Sequence, residues 1–79
     1  MERLVFNTAE HKLEELEKYG FKKYFGYAKN YNKSLTCSID IDFENCIIIN
    51  IRNNDYKKYD LLNDLYDLIK DGLVVKEKK

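Results

Sequence analysis

The chain contains no proline and no tryptophan, and only three glycines and two cysteines in 79 residues. The glycines, Gly20, Gly26 and Gly72, lie too far apart to form a phosphate-cradling loop. Cys37 and Cys46 are too few for a disulfide framework, and no CxxC or HxxxH pair accompanies them. The usual zinc arrangements are thereby excluded, and a reducing compartment is expected. Charge of one sign is also missing: fourteen basic and fourteen acidic residues cancel, so net charge selects no polyanionic partner. The longest aliphatic run, Ile47-Ile48-Ile49, falls far short of the roughly 20 residues of a membrane span. MERLVFNTAE has charges where a secretion signal needs an apolar stretch, so a cytoplasmic location without membrane contact is expected.

What is present suffices for one small domain over residues 1–79. Hydrophobic residues make up 44% and aromatics 14%, although a chain of this size buries only about 60–65% of its unfolded surface. Residues 76–79 are expected to form a flexible tail. A first helix is expected from about Thr8 to Tyr19, capped by Asn7 with Glu10, its apolar stripe Ala9, Leu13 and Leu16. A second is expected from about Tyr56 to Asp71, capped by Asp55 or Asn54. Its core side is Leu61, Leu62, Leu65, Leu68 and Ile69, with Tyr59 and Tyr66 at the margin. Both helices end on glycine, in LEKYGF and LIKDGL, so Phe21 should return to Leu16 and Leu73 to Leu68.

Three strands are expected between the helices, about Lys22–Lys29, Leu35–Asp42 and Cys46–Arg52. Parity decides how the last two pair. A three-residue loop, Phe43-Glu44-Asn45, places Ile41 opposite Ile47 and Ile39 opposite Ile49, with Asn45 in the left-handed position. A two-residue turn would mix wet and apolar faces. The expected fold is therefore α+β in the order α-β-β-β-α, a three-stranded antiparallel sheet with both helices on one face. Leu4-Val5-Phe6 and Leu73-Val74-Val75 could add short edge strands.

Few residues carry chemistry. Asp40, Asp42 and Glu44 resemble the opening of a calcium loop, but Asn45 replaces the required glycine and Ile51 the bidentate glutamate. They read as the wet side of a strand, and no metal or cofactor is expected. His11, Cys37 and Cys46 are the only nucleophile–base candidates and show no pairing, so no catalytic residue is assigned. The charge layout is more distinctive. Residues 18–33 hold five lysines, no acid and six aromatics, whereas the second helix carries Asp60, Asp64, Asp67 and Asp71 at i, i+4, i+7 and i+11. Lys22, Lys23, Lys29 and Lys33, with Tyr27 and Tyr31, could stack on bases and hold phosphates. The four aspartates could face a basic protein or mimic a nucleic-acid backbone.

The α-β-β-β-α order resembles the double-stranded-RNA-binding domain, with Lys57-Lys58 opening the second helix. The aspartates that follow, and the absence of a GP-type loop with a histidine, depart from that family. DLYDLIKDGLVVKEKK resembles a winged-helix junction, but its acidic helix would repel DNA. LEKYGFKKYFGY and LLNDLYDLIKDGLVVKE together resemble small phage and prophage proteins of low-GC bacteria, and the lysine-rich, arginine-poor composition has the same bias. That resemblance implies a non-enzymatic protein that binds a host protein, inhibiting a defence system as anti-CRISPR proteins do. Asp60, Asp64, Asp67 and Asp71 would make the contact. The rival expectation is nucleic-acid binding through the Lys/Tyr segment. A homodimer would cover the open face and edges of a small sheet.

Overall fold

Backbone hydrogen bonds sort the strands into two antiparallel sheets in the computed structural model, which describes residues 3–52 and 55–77. In chain order the elements are β1 (Leu4–Phe6), a 3-10 helix (Leu13–Tyr19), β2 (Lys22–Lys23), β3 (Tyr27–Asn30), β4 (Ser38–Ile41), β5 (Ile47–Asn50), α1 (Lys58–Lys70) and β6 (Val74–Lys76). Strands β2-β3-β4-β5 form a four-stranded sheet, and β1 pairs with β6. One antiparallel bridge, Val5 to Cys46, links the two sheets. The chain is α+β, but the order differs from α-β-β-β-α and the main sheet has four strands where three were expected.

The extra strand arises because the segment expected to run straight from Lys22 folds back on itself. Lys22 pairs with Ala28 and Lys23 with Tyr27, and the turn between them is closed by the Tyr24 N–H donating to the Gly26 carbonyl at 2.8 Å. Gly26 rests against β4: a Cβ there would lie 2.0 Å from the Ile41 carbonyl oxygen. Only glycine permits that approach. The β4–β5 hairpin has the register set by the isoleucines, with Ile41 opposite Ile47 and Ile39 opposite Ile49. Asn45 has φ 64°, in the left-handed region. Asp42 Oδ1 accepts the N–H groups of Glu44 and Cys46, both at 2.9 Å, so the aspartate is consumed in shaping the loop.

The first helix is shorter and tighter than expected. Thr8–Glu10 form a turn, and the helix begins only at Leu13, where the Glu15 carboxylate accepts the Lys12 N–H at 2.7 Å. Leu13, Leu16 and Tyr19 recur every third residue, and a 3-10 helix stacks such positions directly along one side. All three reach the core, with Leu16 fully buried. Ala9 stays exposed, and Asn7 serves a different purpose from capping: its Nδ2 donates to the Gly72 carbonyl at 3.0 Å.

Both helices end as the sequence requires. Gly20 and Gly72 have φ of 91° and 82°. Phe21 donates to the Leu16 carbonyl at 3.2 Å and Leu73 to the Leu68 carbonyl at 2.9 Å. Helix α1 starts at Lys58, two residues later than expected. Asp55 Oδ1 accepts the Lys57 N–H at 2.9 Å, while the other candidate, Asn54, lies outside the described residues. Leu61 and Leu68 are fully buried and Leu65 packs beside them, whereas Leu62 and Ile69 are exposed with Tyr59 and Tyr66. The three inward leucines span about 60° of the helix, so the small sheet covers a narrower stripe than the apolar residues offer.

One core joins these elements: Leu16, Tyr27, Ile39, Ile41, Leu61 and Leu68, extended by Phe6 and Val74 from the end strands and by Leu73 just before β6. Each fully buried aliphatic side chain contributes about 1.5–3 kcal/mol. The expected tail is partly anchored: Lys76 belongs to β6, and Glu77 takes Arg3 Nε at 2.7 Å while its N–H donates to the Arg3 carbonyl at 2.8 Å. Residues 78 and 79 lie outside the described residues.

Gly26→Ala should cost about 3 kcal/mol, the upper end for overpacking, because the methyl meets backbone. Asn45→Gly, at a position that already has left-handed φ, should change stability by no more than a few tenths of a kcal/mol. Urea denaturation of the two variants checks both, and an unchanged midpoint for Gly26→Ala would contradict the packing described.

Candidate functional site

Turns that fix a backbone this tightly also fix what they display. The β2–β3 turn holds Phe25 and the β4–β5 loop holds Phe43, with side chains 88% and 77% exposed. Their rings lie 6.4 Å apart at an interplanar angle of 61°, an edge-to-face pair. Beneath them is a cleft of about 170 Å³ lined by Leu13, Glu14, Lys23, Gly26, Tyr27 and Asp42 together with the two rings. The 3-10 helix supplies Leu13 and Glu14 as one wall; the hairpin tips supply the other. Isolated exposed apolar residues are ordinary, but two adjacent phenylalanines on rigid turns make a patch of the kind that partners bury.

Toward the other end of β3, ionised groups are turned inward. Lys29 lies across from Ile39, on the core side of β3. Its Nζ donates to Asp64 Oδ2 at 2.6 Å and to the Tyr19 carbonyl at 2.7 Å, and it sits 5.2 Å from the Tyr31 ring centroid. Tyr31 donates its hydroxyl to the same Asp64 oxygen at 2.5 Å. Burial first, then that bond, raises the Tyr31 hydroxyl far above the ordinary tyrosine range. Tyr19 donates to Asp71 Oδ2 at 2.8 Å, and that bond is the main cause of its own upward shift. Burial also pushes Tyr27 up, aided by the charges of Glu17 and Glu14.

These contacts redistribute the residues singled out from the sequence. Of the four helix aspartates, Asp64 and Asp71 hold α1 to the rest of the protein. Asp60 lies on the surface 3.8 Å from Lys57, and Asp67 is exposed. The stripe therefore keeps three exposed aspartates, Asp60, Asp67 and Asp71, of which Asp71 is bonded to Tyr19. Lys22, Lys23, Lys29, Lys33, Tyr27 and Tyr31 do not share one surface. Lys22, Lys23 and Lys33 are exposed, Lys29 and Tyr31 belong to the inward cluster, and Tyr27 is in the core. Tyr24 and Phe25 are the exposed aromatics of that segment.

The remaining candidates are likewise placed. Asp40 Oδ2 accepts from Asn50 Nδ2 at 3.2 Å, and Asp42 is committed to its loop. Among the described residues no group of three or more histidine, cysteine or acidic side chains is arranged to hold a metal ion. His11 Nδ1 is 3.2 Å from Glu15 Oε1, while burial pushes both cysteine thiols up, away from the reactive thiolate. A second cleft, of about 120 Å³, is lined by Gly20, Lys22, Tyr24, Ala28, Lys29 and Asn30. Neither cleft contains His11 or a cysteine. Neither phenylalanine is among the site residues expected from the sequence. The place of Phe43 in the three-residue loop was a signal for its exposure, whereas a straight strand hides the turn that exposes Phe25.

Tyr19, Tyr27 and Tyr31 all have folded-state values raised above those of the unfolded chain. Their contribution is present at neutral pH and is lost as pH rises past about 10, where the unfolded chain releases protons first. Tyr31→Phe should cost about 1 kcal/mol at pH 8 and should flatten the loss of stability above pH 10. Urea unfolding across that range measures both effects.

No protein-family model, curated protein or solved structure matches the chain, so its function has to be read from the residues themselves.

Proposed function

We propose that this is a non-enzymatic binding protein that engages another protein through the Phe25–Phe43 patch and the cleft below it. One observation carries the reading: two phenylalanines, 88% and 77% exposed, held in contact by turns whose backbones leave little freedom. Rigid aromatic anchors lose little entropy on binding and dominate interface energies. The resemblance to small phage and prophage proteins favours a host protein as partner, with inhibition of a defence system, in the anti-CRISPR manner, as the outcome. Asp60 and Asp67 then act as a secondary acidic rim, since Asp64 and Asp71 are engaged within the fold.

The test is affinity capture from the native host followed by binding measurements on whatever is captured. Phe25→Ser with Phe43→Ser should weaken binding by about 2 kcal/mol or more, roughly thirtyfold. Thermal stability should be unchanged, because both side chains are exposed. Asp60→Asn with Asp67→Asn should have the smaller effect. Capture that survives the phenylalanine changes and fails with the aspartate changes would move the site to α1.

A second reading rests on the neighbourhood of Lys22 and Lys23 with exposed Tyr24 and Phe25, a short strip able to stack on single-stranded bases. It requires affinity for an oligonucleotide that falls steeply with salt. A gel shift absent at about 50 mM salt would remove it.

A further inference from the structure

β5 is the outer strand of the four-stranded sheet, and among the described residues only Cys46, just before it, is bridged on its far side. Edge strands are ordinarily guarded by charge, proline or a bulge. Residues 46–51 read Cys-Ile-Ile-Ile-Asn-Ile and offer no such guard. Ile48, Ile49 and Ile51 are 45%, 36% and 37% exposed. The direction of the free peptide groups follows from their neighbours. Asn45 turns its carbonyl to Phe6 at 2.8 Å, and Cys46 turns its own to Asp42 at 3.1 Å. Alternation then points the peptide groups of Ile49 and Ile51 outward and those of Ile48 and Asn50 toward β4.

We propose that the chain forms a homodimer by antiparallel pairing of β5 with β5 of a second copy, about a two-fold axis at Asn50. Ile49 of each protomer hydrogen-bonds with Ile51 of the other. Registers centred nearer Cys46 are closed off by β1, which occupies the edge at Val5. In this register Ile49 meets the partner's Ile51 on the core side, and Ile48 meets the partner's Arg52 on the outer side. Asp40 lies next to Ile48 across β4. At strand spacings of about 4.8 Å, Asp40 and the partner's Arg52 are about 10 Å apart at Cα, within reach of an arginine lying over Ile48.

Charge favours the second copy over a foreign strand. Arg52 makes no ion pair among the described residues, and the described partner of Asp40 is the uncharged Asn50 amide. The two-fold satisfies both charges twice, once in each direction.

Sedimentation equilibrium of the full chain over the micromolar range tests the pairing. The wild type should be a concentration-dependent dimer. Arg52→Glu and Asp40→Lys should each weaken self-association about tenfold or more, since each puts like charges together at both symmetric contacts. Mixing those two variants should restore a dimer, now with one Arg–Asp and one Glu–Lys contact. Leu62→Lys, on the exposed side of α1, should leave the dimer intact. A wild type that is monomeric throughout overturns the proposal. So does a dimer that withstands Arg52→Glu, a mixture that fails to recover, or a dimer lost with Leu62→Lys while circular dichroism shows the fold retained.

Discussion

Lys29 is the point at which the separate parts of this protein are fastened together. Its ammonium group donates to a helix-end carbonyl of Tyr19 and to the carboxylate of Asp64, so one side chain on β3 holds the 3-10 helix and α1 to the same strand. Tyr31 shares the carboxylate. A cation in that half-buried position is stable because both its partners are acceptors, one of them charged. With a core of few fully buried side chains, such a polar clasp defines where the helices sit as much as apolar contact does.

The clasp also explains why charge patterns misled where apolar patterns did not. Ile39, Ile41, Ile47 and Ile49 determine a register because one residue of slip would expose all of them, and they pair as the sequence requires. Gly20 and Gly72 end the helices with the expected bonds to Leu16 and Leu68. Lys29 and Asp64, by contrast, look from the sequence like two more surface charges among many. Nothing in their spacing shows that they meet, since they stand 35 residues apart. The split of the first strand is hidden in the sequence for a related reason: Gly26 is needed for its clearance from Ile41, a contact between distant parts of the chain. The pairing of Leu4–Phe6 with Val74–Lys76 is also non-local.

The exposed Phe25–Phe43 pair inherits its rigidity from those same non-local contacts. Phe25 and Phe43 sit on turns braced by Gly26 against Ile41 and by Asp42 within its loop, so the rings are displayed by backbone that the core holds still. Of the carboxylates and lysines prominent in the sequence, Lys29, Asp64, Asp71, Asp40 and Asp42 bond within the fold, whereas Lys22, Lys23, Lys33, Asp60 and Asp67 stay on the surface. In the acidic ladder of residues 40 to 44, the Asp42 carboxylate shapes the loop and the Asp40 carboxylate accepts from Asn50.

The pairing of β1 with β6 has a kinetic meaning. Arg3 meets Glu77 across 74 residues of sequence. The β3–β4–β5 hairpins and both helix ends close short loops and can form early; the β1–β6 ladder closes the longest loop and gains only once the rest is in place. During synthesis Leu4–Phe6 emerges first among the strands and waits longest for its partner. Phe6 and Val74, buried in the finished core, are then left uncovered in a chain that has folded everything except β1 and β6.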